Sequence, residues 1–250
     1  MTASLDFSGQ SVLVTGGASG IGRGIVEAFR DAGAGVTFTY ATSADDAAAL
    51  QATAPDRLQA MGADLRRPEE CARVVEAAAA RFGPLDVIVT NAGGLIARAK
   101  TTETSPELWQ ESFELNVLST VFVCKAALPA MLERKRGAII TMGSIAAHNG
   151  GTGAAHYSSM KGAIHTFTRA LAKEAAPHVR VNSVSPGLIG TRFHDTFSTR
   201  EKRAATVAQT PLAREGTPAD VAGAVLYLAS PFAAFLTGEI IEVNGGIGMY

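Results

Sequence analysis

Tyr157 and Lys161 lie four residues apart in the run YSSMK. This spacing places two side chains on one face of a helix, so the lysine ammonium can lie close to the phenol. Lowering the pKa of a tyrosine from about 10 to about 7 takes roughly 4 kcal/mol of preferential stabilisation of the phenolate. A cation about 4 Å away at an effective dielectric constant of about 20 supplies roughly that amount. The pair therefore predicts a phenol that exchanges protons near neutral pH.

The context of the pair indicates which chemistry it serves. An aromatic residue and a lysine at this spacing also occur on ordinary solvated helix faces. Here, however, a strand-like run over 138–142 that ends at Gly143 and Ser144 precedes Tyr157. Reduction of a carbonyl by hydride leaves an alkoxide, which needs a proton donor and a hydrogen bond to hold its oxygen. Tyr157 is the candidate donor, or the base in the reverse direction, and Ser144 is the candidate anchor.

A glycine-rich turn follows the first predicted strand. Residues 12–15 read VLVT, residues 16–22 read GGASGIG, and an amphipathic helical pattern comes next. Gly16 would permit the tight turn, Gly20 the close approach of backbone to a pyrophosphate, and Gly22 the packing of helix on strand. Glycines alone are often only a flexible loop. Strand, glycines and helix in this order predict a dinucleotide site.

Short β-branched runs alternate with helical periods along the chain, which predicts an α/β fold of the Rossmann type. Parallel strands joined by crossover helices give a doubly wound sheet with helices on both faces. The predicted strands are 11–15, 36–40, 58–63, 85–90, 138–142, 179–185 and 239–243, and the predicted helices are 20–32, 44–52, 68–82, 107–134, 157–175 and 218–229.

The length and composition predict a single dinucleotide-binding and catalytic domain over residues 1–250. No linker rich in Pro, Gly or Ser divides the 250 residues, and an α/β chain of this length is often one domain. The least regular segment, about 187–215, is the candidate substrate loop, because long irregular segments in compact domains are often functional.

Charge and cysteine usage exclude several classes of function. The 22 basic and 23 acidic residues leave a net charge of −1, so no nucleic-acid partner is predicted. The N-terminus lacks the features of a signal peptide and no apolar window is long enough to cross a bilayer, which predicts a cytoplasmic protein without membrane contact. Cys71 and Cys124 show no paired spacing and are expected to be buried small hydrophobes. No histidine or cysteine cluster predicts a metal site.

Several motifs occur in a fixed order along nearly the whole chain. They are TGxxxGxG at 15–22, Asn91-Ala92-Gly93, Asn116, Ser144, YxxxK at 157–161, Pro186-Gly187 and NGG at 244–246. Together they resemble the short-chain dehydrogenase/reductase family in its single-domain form. Within that family the pattern is most similar to 3-oxoacyl-carrier-protein reductases and to sugar and polyol dehydrogenases.

The resemblance implies a seven-stranded parallel sheet in the order 3-2-1-4-5-6-7 and a role for each motif. Asp64 would bind the adenine ring, Lys161 would also bind the nicotinamide ribose, and Asn116 would hold a water that links the lysine to solvent. The implied catalytic residues are Asn116, Ser144, Tyr157 and Lys161. The implied cofactor-binding residues are Gly16, Ser19, Gly20, Ile21, Gly22, Tyr40, Thr42, Ser43, Asp64, Leu65, Asn91, Ala92, Gly93, Tyr157, Lys161, Pro186, Gly187 and Ile189. Taken singly, Asp64 could be a helix cap, 91–94 a turn and Pro186 a helix stop.

The end of the second predicted strand bears on the choice of cofactor. An acid at this place in a Rossmann fold holds the ribose hydroxyls and repels a 2′-phosphate, whereas a base accepts the phosphate. Residues 40–43 read YATS and contain neither an acidic nor a basic residue. Ser19 likewise stands where many NADP-dependent relatives have an arginine. The missing carboxylate and the hydroxyls of Thr42 and Ser43 favour NADP(H), and NAD(H) is the alternative.

The predicted function is hydride transfer between a nicotinamide cofactor and a ketone or secondary alcohol. The favoured substrate is a small 3-oxoacyl thioester, either free or carrier-bound, and the first alternative is a sugar or polyol. A second alternative is a nucleotide-binding regulator without turnover, which the presence of all four catalytic residues disfavours. The resemblance also implies a homotetramer that buries the apolar helices 107–134 and 157–175.

Overall fold

The computed structural model describes residues 5–250. Within them, seven parallel strands form one sheet in the order β3-β2-β1-β4-β5-β6-β7, which confirms the predicted fold and strand order. The strands are β1 (Ser11–Val14), β2 (Gly35–Tyr40), β3 (Leu58–Gly62), β4 (Val87–Thr90), β5 (Gly137–Met142), β6 (Val179–Pro186) and β7 (Ile240–Val243). The predicted domain begins at residue 1, as does the N-terminal segment that lacks signal-peptide features. Residues 1–4 of both lie outside the described residues.

Both faces of the sheet are covered by helices, so the central strands are continuous apolar runs. β1 (SVLV) and β4 (VIVT) are buried at every position, as expected for parallel strands between two helical layers. Because β1 pairs with β2 on one side and with β4 on the other, the strand order reverses at β1. A crevice for ligands opens at the carboxyl ends of the strands at such a point.

The helices follow most of the predicted periods. They are α1 (Gly20–Asp31), α2 (Ala44–Ala52), α3 (Pro68–Phe82), α4 (Pro106–Phe113), α5 (Ser119–Glu133), α6 (Ala146–Asn149), α7 (Ala155–Ala175), α8 (Arg192–Phe197), α9 (Arg200–Gln209) and α10 (Pro218–Ala229). Two of them, α4 and α10, begin where Ser or Thr precedes Pro. Thr217, for example, caps α10 and forms a capping box with Asp220, which satisfies amide groups that the first turn leaves free.

The core lies in two layers, one on each face of the sheet. Val12 and Val14 point into a cluster that includes side chains of α1, α2 and α10. Leu13, between them, points into a second cluster with side chains of α3, α5 and α7. This alternation is the period of two expected of a strand. The two layers hold the strand ends rigidly, and the candidate site is built on those ends.

The predicted single helix over 107–134 is wrong in one respect, since a π-helical turn at Glu114–Leu118 separates α4 from α5. Asn116 lies in this turn and is almost fully buried. Its Nδ2 donates to the Ser112 carbonyl at 3.0 Å, and the Ser119 hydroxyl donates to the Leu115 carbonyl at 2.6 Å. Side chains that bond to the helical ladder in this way widen a turn.

The segment 187–215 is more regular than the sequence predicts, because it contains α8 and α9. Helices of six and ten residues give little periodic signal. Thr199 caps the start of α9, and its hydroxyl accepts from the Lys202 amide at 3.3 Å. Arg203 of α9 pairs with Glu215 at 2.6 Å. These contacts fold the segment back over the sheet edge.

The expectation that no apolar window is long enough to cross a bilayer is wrong for one helical run. Pro106–Glu133, with 28 residues, meets that test by length and composition, and 44% of its window is buried inside the protein. Side chains of this run that enter the core include Val123, Cys124, Ala127 and Met131. We therefore interpret the run as part of the protein's own packing.

Candidate active site

A large cavity opens at the carboxyl edge of the sheet. Its volume is about 1250 Å³, which exceeds the roughly 300–1,000 Å³ of a typical site for one small ligand. Every residue that the sequence assigns to cofactor binding lines it: Gly16, Ser19, Gly20, Ile21, Gly22, Tyr40, Thr42, Ser43, Asp64, Leu65, Asn91, Ala92, Gly93, Tyr157, Lys161, Pro186, Gly187 and Ile189. The cavity therefore has room for a dinucleotide and a substrate side by side.

The glycine turn between β1 and α1 has the geometry that a pyrophosphate site requires. Gly16 and Gly20 adopt φ angles of +65° and +55°, a left-handed backbone that favours glycine. A Cβ on Gly22 would lie 2.1 Å from the Gly16 carbonyl oxygen, so no side chain fits there. The first turn of α1 faces the cavity with its amide groups, where anions bind. These residues fit the diphosphate of a dinucleotide.

Asn91 holds the glycine turn in place from β4, the strand next to β1. Its Nδ2 donates to the carbonyls of Thr15 and Gly16, both at 3.0 Å, and the Ala92 amide donates to the Thr15 hydroxyl at 2.9 Å. The sequence assigned Asn91 only to the lining of the cavity. The structure shows in addition that its amide fastens β1 to β4 at the point where the strand order reverses.

Asp64 and Arg66 form an ion pair at one end of the cavity. Arg66 donates through Nε and a terminal nitrogen to the two Asp64 oxygens at 2.8 and 2.7 Å. These hydrogen bonds lower the pKa of the Asp64 carboxyl below its usual range. The arginine was not predicted from the sequence. Its position two residues after Asp64 is the signal that could have indicated it.

Ser144, Tyr157 and Lys161 come together at the other end of the cavity. Ser144 follows β5, and its Oγ accepts from the Ala146 amide at 3.2 Å. Tyr157 and Lys161 lie on one face of α7, with the lysine Nζ 5.8 Å from the centre of the phenol ring. The same Nζ donates to the Met142 carbonyl at 2.7 Å. The predicted donor, anchor and cation thus share one wall.

The pKa of Tyr157 departs from the prediction. Burial raises the pKa of its phenol, and a hydrogen bond with Ser144 acts in the opposite direction. The sequence argument expected a fully charged lysine to lower it. Burial also lowers the pKa of Lys161 itself to about 8, so above that pH the amine loses the charge that would favour the phenolate. In this structure desolvation dominates over the lysine's field.

Asn116 lies behind the cavity wall rather than in it. Its Oδ1 accepts from the Gly94 amide at 2.8 Å, and its Nδ2 donates to the Gly94 carbonyl at 3.0 Å. A Cβ on Gly93 would lie 2.7 Å from this Oδ1 and 3.7 Å from the Lys161 Nζ. The side chain of Asn116 therefore fixes the loop after β4 against the lysine, and its place in a water relay stays a prediction.

Thr191 and the first residues of α8 line one side of the cavity, and we call this segment, residues 191–197, the lid. The Phe193 ring lies 6.3 Å from the Tyr157 ring, centre to centre. Arg98 donates to the carbonyls of Phe197 at 2.6 Å and Thr152 at 2.9 Å, which joins the lid to two loops on the substrate side. The cavity-lining residues that the sequence did not identify individually include Arg66, Arg98, Thr191, Arg192, Phe193 and His194. Of these, Thr191, Arg192, Phe193 and His194 lie in the candidate substrate loop 187–215.

Comparison with known proteins agrees with this architecture. A family model described as enoyl-(acyl carrier protein) reductase matches residues 16–248. The 3-oxoacyl-(acyl-carrier-protein) reductase FabG of Vibrio cholerae is 38% identical over 250 residues, covering 98% of this chain and 100% of the relative. The Escherichia coli enzyme of the same name is 38% identical over 254 residues, with the same coverage. The chain belongs to the short-chain dehydrogenase/reductase family.

A solved member of the short-chain dehydrogenase/reductase family has almost the same fold. This is a protein from Brucella melitensis described as a glucose/ribitol dehydrogenase, which superposes with a TM-score of 0.93 at 36% identity, covering 99% of this chain and 100% of that chain. As a short-chain dehydrogenase/reductase, the protein is a nicotinamide-dependent oxidoreductase acting between C=O and CH–OH groups. The family and the reaction class predicted from the sequence are confirmed.

The lowered pKa of Lys161 has a consequence for stability that depends on pH. The amine titrates at about 8 in the folded protein and near 10.5 in an unfolded chain. The cost of burying the protonated amine is therefore complete below about pH 8, and it falls toward zero as the pH rises from about 8 to 10.5. Lys161→Met in a Tyr157→Phe background should unfold at higher urea concentration than Tyr157→Phe alone at pH 7. The difference should shrink by pH 10, and a difference that grows with pH would contradict the buried, weakly basic amine.

Proposed function

We propose that this short-chain dehydrogenase/reductase reduces the keto group of a 3-oxoacyl thioester, carried by an acyl carrier protein, with NADPH as the hydride source. The observation that carries the proposal is the continuity of one cavity from the glycine turn at Gly16–Gly22 to Ser144, Tyr157 and Lys161. The names of the relatives from Vibrio cholerae and Escherichia coli support the substrate class.

The proposed roles of the catalytic side chains follow from their positions. The residues that line the cavity from Gly16 to Gly187 would hold a nicotinamide cofactor, which would supply the hydride for the carbonyl carbon. Tyr157 gives its phenolic proton to the carbonyl oxygen, and Ser144 holds that oxygen by a hydrogen bond. The raised pKa of Tyr157 keeps the phenol protonated, which is the form that reduction requires. Lys161, next to the ring, stabilises the phenolate that remains.

The substrate end of the cavity favours an acyl chain over a polyhydroxylated substrate. Its lining includes the apolar side chains of Leu95, Ile96, Ile145, Leu188 and Phe193. A sugar would need several hydrogen-bonding side chains here, because each buried hydroxyl without a partner costs free energy. A second candidate function is oxidation of a sugar or polyol, which the similarity to the Brucella melitensis protein supports.

We also propose NADP(H) as the preferred cofactor, a single domain over residues 1–250, and a cytoplasmic location. The cofactor preference rests on Thr42 and Ser43, whose hydroxyls line the cavity after β2.

The proposed cytoplasmic location rests on the cysteines, because Cys71 and Cys124 are free and buried in the described part of the chain. Burial raises the pKa of these thiols to about 11 and about 12, so they behave as inert core residues.

Turnover of NADPH with a panel of substrates tests the proposed reaction. Acetoacetyl thioester should be reduced, whereas sugars, polyols and a 2-enoyl thioester should not turn over. Tyr157→Phe should lower kcat by about 10²–10⁴-fold, since it removes the proton donor, and should leave the Kd for NADPH within about twofold. Tyr227→Phe, at an exposed tyrosine of α10 outside the cavity, is the matched control. Oxidation of a sugar with no thioester reduction would favour the second candidate, and near-normal turnover by Tyr157→Phe would exclude the proposed donor.

We propose that the protein is a homotetramer. Symmetric pairs that bury apolar helix faces would account for partly buried side chains such as Phe122, Leu128 and Phe167, on α5 and α7. Analytical ultracentrifugation at micromolar concentration should give about four times the 25.8 kDa chain mass. A single monomeric species across that concentration range would contradict this.

A further inference from the structure

Four cationic side chains line the cavity among the described residues, and three of them are bound to partners outside α2. Lys161 is bound to the Met142 carbonyl, beside Tyr157. Arg98 is bound to the carbonyls of Phe197, at the end of α8, and of Thr152. Arg66 is bound by two hydrogen bonds to Asp64. The fourth, Arg192, is the first residue of the lid helix α8.

Arg192 reaches from the lid across the cavity to α2. Its guanidinium pairs with the Asp46 carboxylate at 2.8 Å. Asp46 is the third residue of α2, only three positions after Ser43. The preceding lid residue, Thr191, lies 3.6 Å from the point where Gly20 would carry a Cβ. This end of the lid therefore crosses above the pyrophosphate turn and ends beside the carboxyl end of β2.

Hydroxyl groups surround the place that Arg192 reaches. Thr42 and Ser43 follow β2 and line the cavity, as does Ser19 at the start of α1. Ser19 and Ser43 are N-cap residues whose side chains make no capping hydrogen bond within the described residues. Their hydroxyls can therefore donate to a ligand. In a Rossmann fold the ribose of the adenosine lies at this strand end, and a nearby arginine accommodates a 2′-phosphate.

We propose that Arg192 is the residue that binds the 2′-phosphate of NADP(H), so that the lid, rather than the end of β2, supplies the cation for cofactor selection. This inference rests on the proposed dinucleotide function. On binding, the guanidinium exchanges the Asp46 carboxylate for the phosphate, with Thr42 and Ser43 as neutral donors. The Arg192 side chain is 79% exposed, and an exposed ion pair of this kind is weak enough to be exchanged.

Arg66 is the alternative cation, and its surroundings argue against it. Its hydrogen bonds to Asp64 are the main cause of the raised pKa of its guanidinium, and Glu114 and Glu111 raise it further. Arg66 therefore lies toward α4 and the π turn, away from α2. Its two-pronged pairing with Asp64 also leaves less of the guanidinium free, since a phosphate is best bound by the same planar edge.

The same geometry links cofactor identity to the position of the lid. α8 carries Phe193, which covers Tyr157, and Arg98 fastens the far end of the lid at Phe197. A 2′-phosphate bound by Arg192 would hold the start of the lid in place more strongly than Asp46 does, because a phosphate carries more charge than a carboxylate.

Calorimetric titration with NADPH and NADH, and with adenosine 2′,5′-bisphosphate and adenosine 5′-monophosphate as fragments, tests the proposal without turnover. Arg192→Gln should weaken NADPH and the bisphosphate about tenfold, the loss expected for one charge-assisted contact to phosphate. It should leave NADH and the monophosphate within about twofold. Asp46→Asn should tighten NADPH several-fold, because it removes the competing carboxylate. Arg200→Gln, at an exposed arginine just beyond the lid and outside the cavity, is the matched control and should change nothing.

Each other result overturns the assignment. Equal weakening of NADPH and NADH by Arg192→Gln would place the guanidinium on the pyrophosphate instead. Unchanged NADPH affinity in Arg192→Gln would show that Arg192 has no role in binding. Selective loss of NADPH affinity in Arg66→Gln would assign the 2′-phosphate to Arg66. If the wild-type protein binds neither dinucleotide, the proposed function fails as well. NADPH that binds the wild type and Arg192→Gln equally would overturn this inference alone.

Discussion

The close approach of α1 to the end of β1 is the constraint on which the rest of the site depends. Gly22 packs against the Gly16 carbonyl where no Cβ fits, and the Asn91 amide binds the carbonyls of Thr15 and Gly16 from β4. These contacts join the two strands at the point where the order of the sheet reverses. They hold the first turn of α1 toward the cavity, so its amide groups are arranged for a diphosphate before any ligand arrives.

The opposite end of the cavity is organised by burial. Lys161 is almost fully buried and donates to the Met142 carbonyl, which holds its side chain in one position beside Tyr157. The same burial lowers the pKa of the lysine to about 8 and raises the pKa of the phenol. The protein alone therefore favours a protonated tyrosine, the form that gives up a proton. Both functional ends depend on strand ends held between two packed helical layers.

Most of the fold could be predicted because its signals are local. Strong β-branched runs and capping residues placed all seven strands, and α2, α3 and α10 begin and end where the periodicity predicted. The π turn at Asn116 and the lid helix α8 could not be placed, since both depend on contacts with distant residues such as Gly94 and Asp46. The pKa of Tyr157 was missed for the same reason, because a spacing of four residues contains no information about burial.

The central claim is that the glycine turn and Tyr157 serve one hydride transfer in one cavity. Mass analysis of the product formed from NADPH dideuterated at C4 and an acetoacetyl thioester tests it directly. The account predicts one deuterium on the new carbinol carbon of the 3-hydroxy product, and none at that carbon when unlabelled NADPH is used in heavy water. A product without cofactor deuterium, or with label taken from the solvent at that carbon, would contradict direct transfer and with it the assignment of the whole site.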